Sequence, residues 1–85
     1  MNNPLKALSS PIRLKIIVCL SEVDRDVSGL VNNCGISQSA VSQHLKVLKD
    51  LKIIACQKIG RRQLYRLSNQ KIGAIAKQII KLKNN

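Results

Sequence analysis

Five helical rhythms and two strand-like runs account for most of the apolar residues of this chain. Pro4 can open a short helix through Leu5 and Leu8, after which Ser9-Ser10-Pro11 resets the chain. Pro11, which has no N–H to leave unpaired, suits the first turn of a second helix, and Ser10 is placed to cap it. Ile12, Leu14, Ile16, Ile17 and Leu20 then form a broad apolar stripe to about Glu22, which predicts the central helix of the core. Beyond an acidic loop at 22–26, a short helix, a glycine turn and another helix follow one another over 27–48 with no residue to spare. Gly35 can take the left-handed conformation that ends one helix. Ser37 offers its hydroxyl to the free amides of the next, predicted from Gln38 to about Leu51.

In that helix Val41, Leu45 and Leu48 recur at helical spacing and can face a core. At ~100° per residue the opposite side carries Ser39, Gln43 and Lys46, whose donors suit base edges and phosphates. Taken alone, the layout fits a DNA-reading helix-turn-helix and equally an ordinary helical corner with a solvated polar face. Two β-type runs, 53–58 and 63–67, flank Ile59-Gly60-Arg61-Arg62 and predict a hairpin with a glycine at its bend and a doubly cationic tip. A helix-turn-helix followed by such a hairpin is a winged helix, mainly α, in the order α-α-α-α-β-β-α. An arginine-tipped wing can lie along or in a minor groove. The plainer reading is a surface hairpin whose arginines keep it unpaired. Ser68 or Asn69 can cap a last helix over 70–83, where Ile72, Ile75, Ala76, Ile79 and Leu82 or Lys83 keep the helical rhythm and Ile80 widens the stripe. Lys71, Lys77, Gln78 and Lys81 take its other side. A domain this small leaves little core to cover that stripe, so a second copy is the expected cover, with folding back onto its own domain as the rival.

Eighty-five residues make a single domain, 1–85, near the low end of what can bury a core without disulfides, metal or a partner subunit. Fifteen Lys and Arg against four acids give a net charge of +11, which implies a polyanionic partner. Glu22, Asp24 and Asp26 cluster just before the helix-turn-helix, and only Asp50 lies beyond it. Tyr65 is the sole aromatic, so base stacking on single strands has little to work with and duplex DNA fits better. The longest early apolar run is 16–20, and neither a membrane span nor a signal sequence is visible. A cytoplasmic protein with no membrane partner is expected. Cys19, Cys34 and Cys56 contain no C-x-x-C pair and suggest neither a disulfide framework nor a zinc ribbon, only small packed residues in a reducing compartment. With one histidine, four acids and no glycine-rich phosphate cradle, the inventory argues against an enzyme and against a bound cofactor.

Three segments carry a resemblance over nearly the whole chain. These are Leu5-Lys-Ala-Leu-Ser-Ser-Pro-Ile-Arg-Leu-Lys-Ile, Gly35-Ile-Ser-Gln-Ser-Ala-Val-Ser-Gln-His-Leu-Lys-Val-Leu and Gly60-Arg-Arg-Gln-Leu-Tyr-Arg-Leu. In this order and spacing they resemble the ArsR/SmtB family of small prokaryotic winged-helix repressors. The resemblance implies a homodimer joined mainly through its terminal helices, with Leu5, Leu8, Ile72, Ile75, Ala76, Ile79 and Ile80 at the interface. It further implies repression at a near-palindromic operator until a signal releases the protein. Carried over by position, Gln38, Ser39, Ser42 and Gln43 would face the major groove, Ser37, His44 and Lys46 would lie near phosphates, and Lys58, Arg61 and Arg62 would belong to the wing. His44 flanks the buried stripe, so packing with one hydrogen bond and a phosphate contact both stay open.

The departures from the family pattern bear on sensing. Many relatives bind soft metals through a Cys-x-Cys in the first helix of the helix-turn-helix, where this chain has Asp26, Val27 and Ser28. Others hold zinc or nickel between terminal helices, yet 70–85 contains no His, Cys, Asp or Glu, so no metal is expected. A third branch pairs cysteines of the second and last helices; here Val18 occupies the reactive position, with Cys19 next to it, and the last helix has no cysteine. Val31 stands where such motifs usually carry a small residue and would spread the two helices slightly. The rival function is a winged helix that docks another protein, since fold alone does not fix function. Against it stand the polar recognition helix and the arginine-tipped wing.

Overall fold

The computed structural model describes residues 8–83. Its elements are α1 (Pro11–Glu22), α2 (Val27–Cys34), α3 (Gln38–Asp50), β1 (Ile54–Ile59), β2 (Arg62–Leu67) and α4 (Gln70–Lys83). The fold is mainly helical with one antiparallel hairpin, and α1 touches α2, α3, β2 and α4. The short helix expected through Leu5 falls outside the described residues except at its end, where Leu8 packs half-buried against the core.

α1 begins as its residues dictate, with Pro11 in the first turn and the Ser10 hydroxyl accepting from the Arg13 amide at 3.3 Å. Its Leu14, Ile16, Ile17 and Leu20 are each no more than 1 % exposed and form the centre of an aliphatic core with Leu30, Val41, Leu45, Leu48, Ile53, Ile54, Leu67 and Ala76. Asp26 caps α2 through the Gly29 amide at 2.8 Å. Gly35, at φ +68°, ends that helix, and its N–H bonds the Val31 carbonyl at 3.0 Å. Ser37 caps α3 through the Ala40 amide at 3.2 Å.

α3 closes without a glycine. Lys52 takes the left-handed conformation at φ +62°, its N–H bonds the Lys49 carbonyl at 2.9 Å, and the next N–H, of Ile53, reaches Leu48 at 3.0 Å. This double bond pattern is the usual helix-ending motif with a lysine in the glycine position. Val31 is half-buried against the core.

The hairpin bend is tighter than the four-residue loop expected from the sequence. Ile59 pairs with Arg62, which leaves only Gly60 and Arg61 in the bend, with Gly60 at φ +61°. A glycine at the first bend position permits a two-residue turn whose twist suits both strands, and Arg62 becomes the first residue of β2. The loop before α2 adds an unforeseen bridge on the outer edge of β2. Arg25 donates its N–H to the Tyr65 carbonyl at 3.2 Å and accepts from the Tyr65 N–H at 2.8 Å, which pins β2 to the helix-turn-helix.

α4 starts at Asn69, whose side-chain oxygen accepts from the Lys71 amide at 2.9 Å, and it lies along α1. Gly73 makes this approach close, since a Cβ there would stand 2.5 Å from the Ser21 Cβ and 3.2 Å from the Leu67 Cδ1. Gly73→Ala should therefore destabilise the domain, because overpacking costs about 1–3 kcal/mol and exceeds the roughly 1 kcal/mol that alanine returns in helix propensity. Denaturant melts of Gly73→Ala in the native and Ser21→Gly backgrounds check this: the loss should shrink when the facing Cβ is gone.

Candidate nucleic-acid interface

The register of α3 sorts its side chains. Val41, Leu45 and Leu48 are buried, so Gln38, Ser39, Ser42, Gln43 and Lys46 are all left on the exposed side. Lys49, one turn beyond Lys46, continues the cationic edge, a residue that the sequence reading passed over although its i, i+3 spacing marks it. Ser37 is exposed but its hydroxyl is occupied in the cap, 3.3 Å from the Ser39 hydroxyl. Ser42, Leu45, Lys46, Lys49 and Tyr65 line a concavity of about 200 Å³.

His44 is half-buried, with its Nδ1 3.5 Å from the Arg13 Nη1. A guanidinium only donates, so Nδ1 accepts and the ring proton belongs on Nε2. Partial burial, and then the nearby Arg13 charge, hold this imidazole below its ordinary value of 6.5, so it is neutral at pH 7. The packing role thus has a partner in the structure.

In the wing, Lys58 and Arg61 are exposed, while the Arg62 guanidinium turns back to the helix-turn-helix. Its Nη2 lies 3.2 Å and its Nε 3.3 Å from the Asp26 Oδ2. The doubly cationic tip is thus corrected: Arg61 alone lies in the bend, and Arg62 is ion-paired at the base of α2. One carboxylate caps α2 with Oδ1 and holds the wing with Oδ2. The Gly29 N–H chiefly, with Arg62 assisting, keeps the Asp26 carboxyl below its ordinary value. Sequence spacing gives no sign of this pair, because the two residues lie 36 positions apart and meet only when Arg25 bonds Tyr65.

The expected interface residues divide between inside and outside. Ala76 is fully buried in its own domain, Leu8, Ile72, Ile79 and Ile80 lean half-buried on the core, and Leu5 lies outside the described residues. Ile75 and Leu82 stay 48 % and 73 % exposed. Among the described residues no group of three or more His, Cys, Asp or Glu side chains is gathered as a metal would need, and no helix is long and apolar enough to cross a membrane.

The sequence profile described as "Bacterial regulatory protein, arsR family" matches residues 10–55, the span from the α1 cap into β1. The SmtB transcriptional repressor of Mycobacterium tuberculosis is 39% identical over 71 residues, 84% of this chain and 53% of its own length, so the chain spans about half of that relative. The transcriptional regulator YgaV of Escherichia coli is 41% identical over 81 residues, covering 94% of this chain and 79% of that protein. The crystal structure of the transcriptional repressor BigR from Xylella fastidiosa superposes with a TM-score of 0.82 at 31% identity, covering 92% of this chain and 80% of that one. With profile, sequence and winged helix-turn-helix fold in agreement, this chain belongs to the arsR family of bacterial transcriptional regulators.

Proposed function

We propose that the chain binds double-stranded DNA sequence-specifically, as a homodimeric repressor of a near-palindromic operator. The observation that carries this is the face of α3: Ser39, Ser42, Gln43 and Lys46 stand exposed exclusively because Val41, Leu45 and Leu48 are buried. Set in a major groove, Gln38, Ser39, Ser42 and Gln43 read base edges while Ser37, Lys46 and the His44 Nε2–H lie near phosphates. Lys58, Arg61 and Arg62 serve the wing. The charge of +11 supplies the sequence-independent attraction. No metal enters this reading, and a DNA partner places the protein in the cytoplasm. Measuring affinity for random duplex at low salt tests the whole; absence of binding would favour a protein-docking winged helix instead.

Gln43→Ala should weaken operator binding by ~1–3 kcal/mol, relax preference at one base pair per half-site and leave random duplex nearly untouched. Arg61→Ala should weaken operator and random duplex alike and lower the salt slope by about one per wing. Equal losses from both variants on both DNAs would show that Gln43 does not read bases.

Asp26→Asn keeps an oxygen for the Gly29 amide but removes the charge that holds Arg62. Random-duplex affinity should rise severalfold with a steeper salt dependence as each wing gains a free cation. Fluorescence anisotropy over a salt series reads both.

Dimerisation is assigned to α4, whose Ile75 and Leu82 are the large apolar side chains it leaves exposed. Ile75→Glu with Leu82→Glu should give a folded monomer by light scattering and circular dichroism, with operator affinity lower by tenfold or more. A native protein that is monomeric at micromolar concentration contradicts the assignment.

A further inference from the structure

Cys19 of α1 and Cys34, the last residue of α2, bring their Sγ atoms to 3.5 Å of each other. Fifteen residues separate them, so the packing of the two helices makes the pair, and both thiols are free and half-buried. Cys56 lies apart, opposite Tyr65 in the hairpin. We propose that Cys19 and Cys34 form a modifiable dithiol, closed to an intrasubunit disulfide by a hydroperoxide, and that closure resets the turn leading into α3.

Burial first, and the neighbouring Cys19 second, push the Cys34 thiol up to about 11, against the pull of Lys15 and Arg25. Cys34 therefore keeps its proton, and the first attack falls to Cys19. The Cys19 Sγ takes the distal peroxide oxygen: an S–O bond forms, the O–O bond breaks, the thiol proton is released, and the departing hydroxide or alkoxide is protonated to water or alcohol. Cys34, losing its proton, then attacks the Cys19 sulfur; the S–S bond forms, the S–O bond breaks and the hydroxyl leaves with that proton as water. Two electrons pass from the thiol pair to the peroxide.

Closure draws the sulfurs from 3.5 Å to about 2.05 Å. α1 is anchored by four fully buried side chains, whereas α2 has one, Leu30, with Val27 and Val31 half-buried beside it, so the end of α2 is the side that gives. Gly35, the next residue, is the left-handed joint of the turn, and Ser37, two further on, caps α3. A displacement at Cys34 therefore reaches the recognition helix directly. This consequence rests on the DNA-binding reading, whereas the disulfide itself does not.

The test treats the full-length protein with hydrogen peroxide, alkylates remaining thiols and maps tryptic peptides. Peptides 16–25 and 26–46 should appear linked, with a mass loss of about 2 Da and one thiol per chain still alkylated. Cys56→Ser should form the same link; Cys19→Ser and Cys34→Ser should not. Links from Cys19 to Cys56, links only between subunits, or three thiols surviving an excess of peroxide would overturn the proposal. Oxidised native and Cys56→Ser proteins should also change duplex affinity at least threefold, reversibly with a dithiol reductant, and Cys34→Ser should not. A linked protein with unaltered affinity would refute the coupling to α3. If the reduced protein fails to bind duplex, the DNA reading falls while linked peptides still uphold the dithiol.

Discussion

The burial of α1 on several sides at once sets the terms for everything else. Its four enclosed side chains meet α4 on one flank and the helix-turn-helix and β2 on the others, so one 12-residue helix fixes where each neighbour sits. With an almost wholly aliphatic interior, shape alone must provide this fit. The fit is least forgiving where Gly73 admits Ser21, because there the two helices have no side-chain layer between them to adjust.

Much of this arrangement is legible in the residues, and the reasons are local. Ser10, Gly35 and Ser37 each act within four residues of their own position, so caps and turn can be read directly, and the burial of Val41, Leu45 and Leu48 follows from helical period alone. The elements that escaped are those whose partners are remote. Arg25 pairs with Tyr65 across 40 positions, Arg62 with Asp26 across 36, and Cys19 meets Cys34 by the angle at which two helices cross. The bend of the hairpin was misjudged for a different reason: Arg62 reads equally well as loop or strand until its pairing with Ile59 is known.

The electrostatic layout follows from the same geometry. Asp26 reaches Arg62 beside the bend of the wing and partly offsets its charge, while Lys46, Lys49, Lys58 and Arg61 are left facing outward. Asp26 thus lowers the positive charge beside the bend of the wing while the cations of α3 keep theirs. Ala76 shows an analogous division within α4, where the small residue closes the core and the large Ile75 and Leu82 are left over for another surface.

The two backbone bonds between Arg25 and Tyr65 give the wing a fixed root. There β2 has a partner on each side, β1 on one and Arg25 on the other. Beyond it, the arm from Gln57 to Leu64 is joined by its own ladder, and the Arg62 ion pair ties it back to Asp26. The eight-residue arm is thus tied twice, by Arg25 at its root and by Asp26 beside Arg61 at its tip. Arg61 is therefore carried at a set distance from α3, and changing that distance means breaking the Asp26–Arg62 pair or the Arg25–Tyr65 bonds.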